Sequence, residues 1–159
     1  LKAHGVTSAL LSLGGNVSAL GSKPDGTAWT VAIENPDGGA YLGTVQITNQ
    51  CVVTSGGYQR YFEQDGVRYW HILDPETGKP ARSGMRSVTI VSADDTLADA
   101  LSTALFVMGE EQALDFWRNG GYDFDLVLVT EDGRVVITAG LADRFEEVKD
   151  SGYTYETVS

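Results

Sequence analysis

The sequence predicts an α+β domain in which antiparallel hairpins pack with a central helix. Short β-branched runs are separated by turn signals at Asn35-Pro36-Asp37-Gly38-Gly39, Gln64-Asp65-Gly66 and Glu131-Asp132-Gly133. One long segment, Asp95 to Met108, has helical spacing with both a start and a stop signal. A chain of 159 residues is long enough to bury one core, and no low-complexity linker or repeat divides it, so a single domain is expected.

In chain order, the apolar run Val6 to Leu13 ends at Gly14-Gly15-Asn16. Thr27 to Ile33 alternates in strand fashion and stops at the Asn35 turn. Tyr41 to Thr48 and Cys51 to Thr54 read as further strands. Tyr58 to Glu63 and Val67 to Ile72 flank Gln64-Asp65-Gly66 and form a hairpin. Ser87 to Ser92 is a β-branched strand. Asp123 to Thr130 and Arg134 to Thr138 make another hairpin around Glu131-Asp132-Gly133. Residues from about Glu146 are polar and are expected to fray.

The helix has Asp94 or Asp95 to supply its N-cap oxygen and Gly109 to stop it. Leu97, Leu101, Ala104, Leu105 and Met108 fall on one face. Asp99 and Thr103, four apart, stack one turn above the other on the opposite side. Their neighbours are Ala98, Ala100, Ser102, Phe106 and Val107, and no Lys or Arg occurs in the helix. The helix therefore reads as covered on both sides, with Asp99 a carboxylate short of water. Such a group needs a partner or takes up a proton. A hard cation is one solution, since Asp and Thr oxygens suit Mg²⁺. An ion pair from a distant Arg82 or Arg86, with Thr103 bonded to its own turn, is the other, and the residues alone leave both open. A second helix, Glu111 to Trp117 before Asn119-Gly120-Gly121, reads as structural.

The net charge of −11 excludes a broad nucleic-acid footprint and disfavours anionic lipid. It leaves anionic small ligands open, because local donors or a metal can invert the local sign. The single cysteine, Cys51, cannot form an internal disulfide and sits in the apolar run Cys51-Val52-Val53 as an inert buried thiol. No apolar run approaches the roughly 18 residues of a membrane span. The chain begins at Leu1 rather than Met, so the lack of a visible leader carries no information.

Arg68 to Pro80 is the most informative segment. A strand ends at His71-Ile72-Leu73-Asp74-Pro75 and turns sharply through Asp74-Pro75 and Thr77-Gly78. That places an imidazole and a carboxylate at a sheet edge, where loops carry chemistry. A satisfied strand end is the alternative. Gly14-Gly15-Asn16 offers backbone N–H groups to a phosphate, or is a plain turn. Thr54-Ser55-Gly56-Gly57-Tyr58, with Arg60 nearby, suits a phosphate or ribose, or a β-bulge. Glu63 and Asp65 flank a hairpin turn and are solvated; His4 has no visible partner; Trp29, Trp70 and Trp117 belong to the core.

Four segments in one order resemble the C-terminal half of the ApbE-type flavin transferases, the FAD:protein FMN transferases. They are Gly5 to Asn16, Thr54 to Phe62, His71 to Gly78, and Ala98-Asp99-Ala100-Leu101-Ser102-Thr103-Ala104-Leu105. The likeness runs from about residue 1 to about residue 140. It implies a T-fold-like α+β architecture, FAD as substrate, and Mg²⁺. It also implies transfer of FMN to a Thr or Ser hydroxyl of a flavin-acceptor protein, typically a membrane redox complex subunit, with release of AMP. Such enzymes are usually exported in bacteria. By motif, Asp99 and Thr103, with Ser102 beside them, would be metal ligands. His71 would be the base for the acceptor hydroxyl. Gly15, Asn16, Ser55, Gly56 and Leu73 would lie along the flavin site. Many members carry two adjacent histidines where this chain has Trp70-His71, which singles out His71.

The family's N-terminal half has no counterpart here, including a Gly-rich Ala-Lys-Gly motif whose backbone helps ligate the metal. Residues 1–159 are thus expected to be the C-terminal part of one domain, with an incomplete flavin site and weak or absent transferase activity alone. Two rivals remain. One is an FAD-binding protein or FAD pyrophosphatase that releases FMN and AMP without an acceptor. The other is a non-catalytic flavin-binding domain in which His71 and Asp99 are structural.

Overall fold

The computed structural model describes residues 1–159. Its strands are β1 (Ala9–Leu13), β2 (Asn16–Leu20), β3 (Trp29–Ile33), β4 (Gly43–Ile47), β5 (Cys51–Gly56), β6 (Tyr61–Gln64), β7 (Val67–Trp70), β8 (Met85–Ser92), β9 (Asp125–Thr130), β10 (Arg134–Thr138), β11 (Phe145–Glu147) and β12 (Thr154–Val158). Its helices are α1 (Asp95–Met108) and α2 (Glu110–Asn119). A seven-stranded sheet runs β1-β2-β5-β8-β9-β10-β12, a three-stranded sheet runs β11-β4-β3, and β6-β7 form a separate ribbon. The fold is α+β, as the sequence predicts.

Period-2 alternation in the large sheet feeds two cores. Val53, Val88, Ile90, Leu126 and Leu128 face the helices and meet Leu101, Leu105 and Phe106. Val52, Val91, Val127, Val129 and Ile137 face the other way and meet Val31, Ile33, Val45 and Ile47 of the small sheet. A sheet covered on both faces needs strands apolar at successive positions, and β8 is buried everywhere but Arg86.

Helix α1 has the predicted bounds. The Asp94 carboxylate accepts from Thr96 N (2.9 Å) and Leu97 N (3.1 Å), and Gly109 (φ 82°) closes the other end with its N–H on Leu105 O (3.1 Å). The buried face differs from the expected one. It is Ala98, Leu101, Ser102, Leu105 and Phe106, whereas Ala104 is exposed and Leu97 and Met108 are only half-buried. No second layer covers the helix's outer side, so Asp99 and Thr103 are exposed rather than short of water.

Other differences concern pairing that local pattern does not reveal. Gly14 and Gly15 (φ 62° and 101°) form a two-residue turn that sets Leu13 opposite Asn16, so Asn16 opens a second strand instead of ending a loop. The expected fraying of the C-terminal residues does not occur. β11 pairs with β4, and β12 pairs with β10 as the one parallel pair in the fold. Both are edge strands whose outward side chains face water, which makes their sequences polar. Cys51 is buried as expected, its S–H donating to Ser92 O at 3.2 Å; burial, then the negative charge of Asp95, pushes its thiol up to about 11.

The β6–β7 ribbon stands off the main sheets and is anchored at its root. The Trp70 indole N–H donates to Ala81 O (3.1 Å), and its ring meets Phe106 edge-on at 6.5 Å. There the backbone N–H of His71 donates to Arg60 O (3.2 Å). No helix is long and apolar enough to cross a membrane.

Candidate active site

The β1–β2 turn, the end of β5, the root of the β6–β7 ribbon and the outer face of α1 enclose one cavity of about 460 Å³. That is within the size range of small-molecule sites. Asn16, Ser55, His71, Asp99 and Thr103 all line it, with Gln59 and Arg60.

Asp99 Oδ1 accepts from Asn16 Nδ2 at 3.1 Å; no protein group donates to Oδ2. One turn on, three hydroxyls form a directed chain. Ser102 Oγ–H donates to Asp99 O (3.0 Å). With its hydrogen committed there, Ser102 Oγ can only accept from Ser55 Oγ (2.9 Å). Ser55 Oγ in turn accepts from Thr103 Oγ1 (3.1 Å). The chain ends with the lone pairs of Thr103 Oγ1 unused by the protein and open to the cavity. Thr103 and Asp99 thus present oxygen acceptors side by side.

The exposure of Asp99 corrects the expectation of a dry carboxylate: desolvation does not force a cation here. The ion-pair alternative is not realised either. The Arg82 guanidinium lies 4.8 Å from the Trp70 ring centroid and donates to Arg68 O (3.0 Å), while Arg86 pairs with Asp37 at 2.5 Å. What remains is a set of hard oxygens with unused lone pairs, which fits Mg²⁺, an ion that takes one or two carboxylates and fills its shell with water or phosphate. No group of three or more His, Cys, Asp or Glu comes together anywhere in the chain to hold a metal, so Asp99 would be the only charged protein ligand.

His71 Nδ1 lies 3.3 Å from the backbone oxygen of Arg60. A carbonyl oxygen can only accept, so Nδ1 carries the hydrogen and Nε2 keeps its lone pair as a proton acceptor. Asp74, the carboxylate expected at the same sheet edge, does not orient the ring. Its Oδ1 accepts from Glu76 N (2.8 Å), and its backbone closes the following turn with Lys79 and Gly78.

Four sequence-predicted positions lie beside the cavity without lining it. Gly15 sits in the exposed β1–β2 turn. Gly56 is buried, and a Cβ there would stand 2.5 Å from the Tyr58 ring and 3.0 Å from Arg86 O, so packing alone demands glycine. Leu73 is exposed on the turn beyond His71, bridged to Pro80. Ser102 is fully buried behind Ser55. Leu13, Thr54 and Gln59 also line the cavity, and sequence reasoning did not single them out as site residues. Arg60, beside the Ser55 segment in sequence, lines it too. Counting outward from the Gln64↔Val67 pair sets Arg60 opposite His71, a relation legible in the hairpin register.

Comparison with known proteins places the chain in a family. The ApbE family model matches residues 1–128. An FAD:protein FMN transferase of Treponema pallidum is 42% identical, with 98% of this chain and 45% of that protein covered. One from Klebsiella pneumoniae is 40% identical, with coverage of 96% and 46%. The chain spans less than half the length of these relatives. The crystal structure of an ApbE protein from Thermotoga maritima superposes with a TM-score of 0.72 at 39% identity, covering 89% of this chain and 43% of that one. The apo flavinyl transferase ApbE of Pseudomonas stutzeri gives 0.66 at 38% identity, covering 92% and 42%.

Proposed function

This chain belongs to the ApbE family, and from that premise we propose that it takes part in Mg²⁺-dependent transfer of FMN from FAD to a Thr or Ser hydroxyl of an acceptor protein, with release of AMP. The observation that supports this reading is the meeting of Asn16, Ser55, His71, Asp99 and Thr103, from four separate segments, on one cavity.

The acceptor oxygen attacks the flavin-side phosphorus of the pyrophosphate, and the bond from that phosphorus to the bridging oxygen breaks, with AMP as leaving group. A Thr or Ser hydroxyl is almost never ionised at neutral pH, so its proton needs a base. His71 Nε2 takes it, and the Arg60 carbonyl on Nδ1–H holds the ring in the tautomer that can do so. Asp99 and Thr103 would hold the metal, with Asn16, Ser55 and Ser102 fixing their orientation. Bound there, Mg²⁺ supplies charge neutralisation on the phosphate oxygens. The cavity walls hold the reactants in line, which is most of what phosphoryl transfer asks of a protein.

Titrating FAD against the chain with and without Mg²⁺, followed by flavin fluorescence, tests the metal side. Asp99→Ala is expected to abolish the Mg²⁺-dependent component; an unchanged titration sinks the reading. Incubation with FAD, Mg²⁺ and an acceptor protein tests the chemistry by mass spectrometry. FMN on a Thr or Ser supports transfer. Free FMN and AMP beside an unmodified acceptor would replace it with a pyrophosphatase.

A further inference from the structure

The cavity wall carries two formal charges, Asp99 and Arg60, and they do not pair with each other. Arg60 also differs from every other arginine in the chain. Arg68 is held by Glu63 and lies over the Tyr61 ring, and Arg82 lies over Trp70. Arg86 pairs with Asp37, and Arg118 donates to Ser159 O. Arg134 pairs with Glu110, and Arg144 with Asp125. The Arg60 guanidinium makes no hydrogen bond, ion pair or ring contact. Arg60 is thus the one arginine of the chain whose five donors are all left to solvent or a ligand.

We propose that Arg60 is a phosphate-binding residue that holds the pyrophosphate of the dinucleotide in this cavity; the inference rests on the reading of the cavity as a flavin-nucleotide site. A planar guanidinium with five donors matches phosphate oxygens bidentately, which a lysine cannot do. The backbone supports the placement. Arg60 O receives both the N–H and the Nδ1–H of His71, so the residue that would grip the phosphate is locked in register with the residue that would take the acceptor proton. Arg60 and His71 stand opposite each other across the ribbon by the register Tyr61↔Trp70. Asp99 and Arg60, unpaired, offer the cavity one site for a cation and one for an anion, the combination a metal-bound phosphate requires.

The test compares FAD with riboflavin, which lacks phosphate, by fluorescence titration of the chain in Mg²⁺ and again in EDTA. Arg60→Gln is expected to weaken FAD binding about 10- to 100-fold in both buffers, the range for a charge-assisted hydrogen bond, and to leave riboflavin binding unchanged. Arg60→Lys should recover part of the loss. Arg60 is exposed, so the variants are expected to keep the wild-type melting temperature and circular dichroism spectrum. Unchanged FAD affinity in Arg60→Gln, an equal loss for riboflavin, or no preference of the wild-type chain for FAD over riboflavin would overturn the proposal. Asp99→Ala separates the two ideas: persistence of its Mg²⁺ dependence counts against the metal site, whereas the EDTA series judges Arg60 alone.

Discussion

His71 Nδ1 and the backbone oxygen of Arg60 stand 3.3 Å apart at the root of the β6–β7 ribbon, and that one contact decides which ring nitrogen keeps a free lone pair. Nitrogen-15 spectra of the neutral imidazole should therefore show hydrogen on Nδ1 and a bare Nε2. Hydrogen on Nε2 would remove His71 as a base in this position.

The hydroxyl chain Ser102–Ser55–Thr103 aims the Thr103 oxygen. Ser55→Ala breaks it while leaving Asp99 and Thr103 in place. We expect Mg²⁺ affinity, measured by calorimetry in the presence of FAD, to fall about 10- to 100-fold, as when an outer partner of a metal ligand is lost. An unaltered affinity would mean that Thr103 needs no support.

Gly56→Ala should cost about 1–3 kcal/mol in urea denaturation, because the added methyl meets the Tyr58 ring and the backbone oxygen of Arg86 at once. Wild-type stability would show that Gly56 is free to serve a ligand instead.

Arg134 joins three elements. Its Nη atoms contact Glu110 of α2 at 2.5 and 2.8 Å and Glu156 of β12 at 2.6 Å, and its Nε contacts Asp132 of the β9–β10 turn at 3.0 Å. Because three carboxylates converge on a partly shielded guanidinium, Arg134→Met should destabilise by about 1–2 kcal/mol, more than a lone surface pair. Amide exchange should rise first in β12, the strand this arginine ties down; uniform exchange across the sheet would contradict that.

Burial raises the Cys51 thiol from its ordinary value of 9.0 to about 11. The unfolded chain thus releases this proton before the folded one does. The contribution to stability is complete below about pH 9 and is lost as pH rises toward 11. Ellman's reagent at pH 8 should leave the native protein unlabelled and react fully in denaturant. Rapid native labelling would place Cys51 nearer the surface than its position between β2 and β8.

Much of this was legible along the chain. The bounds of α1 follow from Asp94 and Gly109, and the β6–β7 and β9–β10 hairpins follow from Asp65-Gly66 and Asp132-Gly133, because caps and turns are local chemistry. The Asn16, Ser55, His71, Asp99 and Thr103 segments stand out as candidates by their own residues and by resemblance. Their spacing says nothing of their meeting, since hydrogen bonds such as Asn16–Asp99 and Ser55–Thr103 close across 83 and 48 residues. The water around Asp99 is hidden from the sequence for the same reason. Helical periodicity tells which residues share a side, and it cannot tell whether another layer covers that side.

By itself, then, the sequence determined where the chain turns, where its long helix starts and stops, and which side chains have chemistry to offer. Those properties depend on residues within a few positions of one another. Only the tertiary structure decided that Asn16 opens a strand, that the polar C-terminal residues pair at sheet edges, that Asp74 serves its own turn, and that Arg60 stands unclaimed opposite His71. Each of these depends on which distant backbone donors and acceptors find one another, a matter settled by long-range pairing and burial rather than by local preference.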